Sequence, residues 1–205
     1  MATITTRTTQ LEAVNTILST IGEAPVNSLT GSLPVDASMA VNILNEVNRE
    51  IQSAGWKFNT SWKAKLVRDT NNRIIIANDV LHIELDHLRY SKISYDPVMR
   101  GSYLFNLATE TNIWDRDFDY ATIIYLLEFE TIPEQARRYI TIRASRIFHD
   151  RTLGANAIHK YSQQDELASL ALLKQTEADT ADHNVFNSLD QQQIVNRSNV
   201  IKFSS

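Results

Sequence analysis

Residue types able to do chemistry gather at three places in this sequence. The first is His82-Ile83-Glu84-Leu85-Asp86-His87, two imidazoles and two carboxylates in a single short run. Side chains alternate along a strand, so His82, Glu84 and Asp86 would share one face and His87 would point the other way. Ile83 and Leu85 fit the plainer reading, a polar outer face over a buried inner one. A ligand trio on one exposed strand would also lack the outer groups that orient metal ligands. The second place is Asp115-Arg116-Asp117-Phe118-Asp119. It imitates the opening of a calcium loop, but Tyr120 and Leu126 stand where the loop needs Gly and a bidentate Glu. The same carboxylates, with Glu110 or Glu128, could in principle flank a glycosidic bond, which requires a separation of roughly 5–10 Å across a cleft. With 24 acidic residues in the chain, apparent pairs arise without any such purpose. The third place is a run of arginines, Arg137, Arg138, Arg143, Arg146 and Arg151, with Asp150 as the sole acid among them. At about 100° per residue these do not form one stripe. Arg143 and Arg146 are neighbours, Arg138 lies well round the helix, and Arg137 and Arg151 fall near the apolar side. A nucleic-acid face would align them. Arginines spread round a helix instead suit ion pairs to several neighbours, either within the bundle (Glu166 and Asp165 are available) or in other subunits.

Composition narrows the chemistry further. The chain has 205 residues, with 20 Lys and Arg against 24 Asp and Glu, a formal net charge of −4. That length buries a substantial core, and that charge gives no bulk attraction to nucleic acid or anionic lipid. Cysteine is absent, which removes disulfides, thiolate metal sites and thiol nucleophiles together. Five glycines leave little from which to build a phosphate cradle, and no GxSxG, phosphate-binding loop or dinucleotide fingerprint occurs. The expectation is therefore no catalytic residue, no cofactor and no metal. No apolar run approaches the ~20 residues that cross a bilayer, and the first residues lack a signal-peptide stretch, so neither membrane insertion nor export is expected.

The elements that must position these groups follow from periodicity. Thr9-Gln10-Leu11-Glu12 has capping-box spacing and opens a helix with Leu11, Val14, Leu18 and Ile21 on one stripe, ended by Gly22 and Pro25. Asp36 is a plausible N-cap for a second helix carrying Ala40, Leu44, Val47, Ile51 and Ala54, ended by Gly55. From Trp62 the period becomes two: Trp62, Ala64 and Leu66, then Tyr103, Phe105 and Leu107, then Ile123, Tyr125, Leu127 and Phe129, with turn chemistry between the runs. Helix returns at Pro133-Glu134, with Ala136, Ile140, Ala144 and Ile147 as its stripe. A fourth helix covers about 156–182, with Ile158, Tyr161, Leu167, Leu170 and Leu173 partly periodic. The fold class is thus α+β. A four-helix bundle is drawn from both ends of the chain (1–60 and 131–183), with a small antiparallel β insertion over 61–130 and an extended C-terminal arm over 184–205.

Three segments, in this order, carry a resemblance. They are Val14-Asn15-Thr16-Ile17-Leu18-Ser19-Thr20-Ile21-Gly22-Glu23-Ala24-Pro25-Val26; then Ile43-Leu44 with Asn48-Arg49-Glu50-Ile51-Gln52-Ser53-Ala54-Gly55-Trp56-Lys57-Phe58-Asn59; and last Pro133-Glu134 with Arg138-Tyr139-Ile140, Ala144-Ser145-Arg146 and Phe148. Together they resemble the tail tubular protein A family of short-tailed bacteriophages (podoviruses), the head-to-tail adaptor or gatekeeper. The resemblance covers roughly 10–60 and 131–155, and the sheet region matches in position and size more than in residues.

The resemblance implies a virion tail protein, assembled in the host cytoplasm as a ring of identical subunits, twelve in that family. Such a ring sits between the portal protein and the tail nozzle protein, with double-stranded DNA passing non-specifically through its centre and tail fibres attached nearby in some members. A duct that lets DNA slide should avoid dense phosphate pairing, and modest acidity agrees with that. On this reading Arg137, Arg138, Arg143 and Arg146 bridge to a neighbour or to the portal, while the arm, with Phe186, Ile194 and Phe203, folds onto a partner. Three alternatives stay open: a tail-associated glycan hydrolase using Asp115, Asp117, Asp119 or Glu128; a DNA-binding helical module; and another ring of the same tail, a stopper or nozzle component.

Overall fold

The computed structural model describes residues 7–154 and 159–180. Helix α1 (Gln10–Ser19) starts on the capping box expected of it. The Thr9 hydroxyl accepts from the Glu12 amide at 3.2 Å, and the Thr9 amide donates to the Glu12 carboxylate at 2.8 Å. Gly22, at φ +80°, turns the chain out of the helix in a conformation that other residues resist. Helix α2 (Val35–Gln52) begins two residues earlier than Asp36 as its cap would set it. Pro34 takes the cap position, its carbonyl accepting from Ser38 at 2.9 Å. Asp36 instead sits inside the first turn, where its charge faces the positive end of the helix dipole.

The β part contains a three-stranded antiparallel sheet of order β1–β5–β2, formed by β1 (Thr60–Leu66), β2 (Val80–Leu85) and a central β5 (Phe118–Tyr125). A separate hairpin joins β3 (Pro97–Arg100) to β4 (Tyr103–Asn106) through Gly101 and Ser102. The hairpin is tied to the segment before β2 by Leu104 donating to Ile74 at 3.0 Å and Ile76 donating to Ser102 at 2.9 Å. Leu127 and Phe129, which continued the period-two run of β5, lie beyond its end. Phe129–Thr131 is a short 3-10 turn that delivers Phe129 to the helical core.

Helix α3 (Glu134–Leu153) and helix α4 (His159–Thr180) complete the bundle, so the chain is α+β as its periodicity predicts. The fourth helix is described over His159–Thr180; the rest of 156–182, like the arm over 184–205, lies outside the described residues. Two apolar cores result. One joins α1, α2, α3 and α4 through residues such as Ile17, Leu44, Ile140, Phe148 and Leu173; the other fills the β part with Leu85, Leu104, Trp114, Phe118 and Ile123. Each fully buried large side chain contributes about 1.5–3 kcal/mol relative to exposure. Trp114 meets Phe118 edge-on at 5.3 Å and donates its indole N–H to the Leu104 carbonyl at 3.0 Å, so its one polar atom is satisfied.

Candidate functional site

The arginine helix is the centre of the bundle, for α1, α2 and α4 all pack on it. Its buried residues therefore lie on several sides, from Ala136, Ile140 and Ala144 to Tyr139 and His149. That position explains why its cations are scattered: their partners lie on several surrounding elements. Arg137 is almost wholly buried, 2% exposed, and bonds to backbone. Its guanidinium donates to the carbonyls of Ile132 at 2.9 Å and Thr8 at 2.7 Å, and also to that of Glu130. It thus holds the entry to α1 and the turn before α3 together.

Arg143 and Arg146 share Glu166 of α4, the partner available within the bundle. Arg143 reaches Glu166 at 2.8 Å and Glu50 of α2 at 2.6 Å, spanning three helices, while Arg146 adds Asp150 at 3.2 Å. The Arg143 guanidinium is held above its ordinary range although burial opposes its charge, because Glu50 and Glu166 lie against it. Arg146 is likewise raised, mainly by its hydrogen bond to Glu166. Arg151 pairs with Glu46 of α2 at 3.1 Å. Arg138 alone of the four proposed interface arginines is exposed. Phe186, Ile194 and Phe203 lie outside the described residues.

The two acidic clusters are also accounted for locally. Ile83 and Leu85 are buried while His82 and Glu84 are exposed, the face assignment expected of β2. Asp86 lies past the strand, where it accepts from the Leu88 amide at 2.9 Å and pairs with Arg89 at 3.2 Å; His87 pairs with Glu84 at 3.6 Å. Asp115 accepts from the Tyr95 hydroxyl at 2.9 Å, Asp117 accepts from Arg68 at 3.0 Å, and Asp119 pairs with Lys65 at 3.2 Å. Asp117 is lowered from the usual carboxylate range by the Arg68 amide and then by the Arg68 side chain. Among the described residues no group of three or more His, Asp or Glu could hold a metal ion, and no helix is long and apolar enough to cross a membrane.

The sequence reading missed the surfaces that remain apolar. Trp62 was expected on the inner face with Ala64 and Leu66, yet it is 55% exposed. Register shifts between Ser61 and Ala64, and again between Ala64 and Leu66, rotate it outward. In α4 the buried side is Glu166, Ser169 and Leu173, so Leu167, expected on the apolar stripe, stands 67% exposed. Leu88 and Ile93 extend from the connection after β2 at 85% and 90% exposure.

Most of the arginines and acids that could do chemistry are spent on ties within the chain itself, the use expected of a structural protein. The Tail tubular protein family model matches residues 11–183, and the chain belongs to that family. It is a structural component of a bacteriophage tail. No curated protein matches the chain.

Proposed function

We propose that the protein is the adaptor ring that joins the portal protein to the tail nozzle, with DNA passing through its centre during ejection. The observation that carries this reading is the match of the Tail tubular protein family model to residues 11–183, and exposed large apolar residues on both the bundle and the β part agree with it. Leu167 and Leu172 stand on the bundle; Trp62, Ile75, Leu88, Ile93 and Ile113 stand on the β part. A piece that joins two neighbours needs a surface for each, and these side chains are open to contact on both parts of the chain. The bundle packs side by side round the ring, Arg138 offers a free-standing cation toward a neighbour or the portal, and the β part faces the nozzle or fibres. The internal pairs of Arg137, Arg143 and Arg146 support the role indirectly, by fixing helix positions within each copy. The segment from Asn184, with Phe186, Ile194 and Phe203, folds onto a partner.

The test is the mass and symmetry of the purified full chain, alone and mixed with a portal ring. A closed ring of identical subunits that co-migrates with the portal is expected; a monomer in both conditions overturns the reading. Cutting the chain at Asn184 should weaken portal binding, and undiminished binding removes the role given to that segment.

A further inference from the structure

A groove of about 510 Å³ lies where the bundle meets the β part, lined by Trp56, Lys57 and Trp62 and by Lys174, Glu177 and Ala178 of α4. Its two tryptophans differ. Trp56 is held in place: it is half-buried, stacks on Phe58 at 6.4 Å and donates its indole N–H to the Ile51 carbonyl at 2.7 Å. Trp62, turned outward by the irregular register of β1, is 55% exposed. The charges on the lining are unequal too. Two lysines stand against one acid, and that acid, Glu177, already accepts from the Lys57 amide at 2.7 Å. Open indole beside surplus cations suits an occupant that carries an aromatic side chain between carboxylates.

Such a sequence begins where α4 reaches the groove. Ala178 is on the lining, and Thr180, the last residue of α4, is about 3 Å further along the axis. The residues that follow lie outside those described, but their sequence is Ala181-Asp182-His183-Asn184-Val185-Phe186-Asn187-Ser188-Leu189-Asp190, with no lysine or arginine before Arg197. Phe186 is four residues from an aspartate on either side. Six residues past Thr180, it can reach roughly 20 Å, enough to turn back onto the groove. We propose that Phe186 seats against Trp62 in the groove of its own copy, with Asp182 and Asp190 toward the lysines. The short tether favours this occupant over a second chain. It holds the segment at an effective concentration on the order of millimolar, so modest contacts suffice. This contact belongs to the chain before it meets a partner, and it stands apart from the adaptor reading.

The absence of cysteine permits a direct test. A full chain bearing Lys57→Cys and Asn187→Cys is purified without portal, oxidised and run without reductant. A disulfide within one chain is expected, and adding Phe186→Ala should slow its formation about tenfold. In parallel, Phe186→Ala alone should make the tryptophan emission easier to quench with acrylamide, whereas the same change on a Trp62→Phe background should not. Disulfides that form only between chains, or closure at one rate with and without Phe186, overturn the contact. So does quenching that Phe186→Ala leaves unchanged, or raises equally in the absence of Trp62. Each of these results leaves the adaptor reading untouched, because the mass of the chain mixed with a portal ring decides that separately.

Discussion

Gln52 and Leu127 bond to each other twice. The Gln52 amide nitrogen donates to the Leu127 carbonyl at 2.8 Å, and the Leu127 amide donates back to the Gln52 side-chain oxygen at 2.8 Å. One side chain at the end of α2 thereby acts as the strand neighbour that the chain leaving β5 lacks. Asn59 reinforces the junction, donating to the carbonyls of Gln52 at 2.9 Å and Tyr125 at 2.8 Å. Nearby, Gly55 at φ +76° lets the chain turn there, where an added Cβ would lie 2.6 Å from the end of Ile124.

Gln52→Leu is therefore expected to cost more than its similar volume implies. It leaves a donor and an acceptor on Leu127 without partners, at about 1–3 kcal/mol for each group left unsatisfied away from water. Urea unfolding should show a loss of ~2–4 kcal/mol with an unchanged slope. A loss below ~0.5 kcal/mol would mean that water replaces the amide at no cost.

Glu166 and Glu46 offer an internal comparison. Glu166 accepts from two guanidinium groups whose side chains are 25% and 19% exposed, whereas Glu46 and Arg151 are each more than half exposed. Glu166→Ala should cost ~1–3 kcal/mol, because two half-buried cations lose a common partner. Arg151→Ala should cost less than ~1 kcal/mol, the usual worth of an exposed pair. Equal losses from the two substitutions would show that the shared carboxylate has no special weight.

Acid sensitivity follows from the depressed carboxylates. Glu12 is lowered by the Thr9 amide, Glu46 by Arg151, Asp69 by the Arg73 amide and Asp117 by the Arg68 amide. Each binds its proton more weakly folded than unfolded, where Asp and Glu titrate near ~3.9 and ~4.3. Their stabilisation is present above those values and disappears as pH falls through the lower folded ones. The urea midpoint should be flat from about pH 7 to 5 and fall below about pH 4, and Asp117→Asn should make that fall shallower. A midpoint that rises on acidification contradicts the sign.

Much of this fold is legible in local chemistry, and the failures share one cause. The Thr9 and Glu12 box, the α2 stripe and the alternation of Ile83 and Leu85 against His82 and Glu84 depend on residues close in sequence. Trp62 and Leu167 do not. The outward turn of Trp62 depends on how β1 registers with β5, and the exposure of Leu167 depends on Glu166 being drawn inward by arginines of another helix. Arg137 belongs with these, for its partners at Thr8 and Glu130 come from separate parts of the chain.

Trp114 tests whether the two cores open together. It is 2% exposed, lies edge-on to Phe118 and bonds to the Leu104 carbonyl, all within the β part. Trp114→Ala should remove ~3–5 kcal/mol by leaving a cavity, and it orphans that carbonyl as well. The helical core contains none of these residues, and Gln52 and Asn59 bridge to the chain around the end of β5 rather than to Trp114. Amide hydrogen exchange should therefore show protection falling in β4 and β5 by nearly the full loss, while Ile140 and Ala144 in α3 keep theirs. If the α3 amides lose protection in equal measure, the bundle and the β part form one cooperative unit. In that case the amide bridge from Gln52 to Leu127 couples them more tightly than its few hydrogen bonds account for.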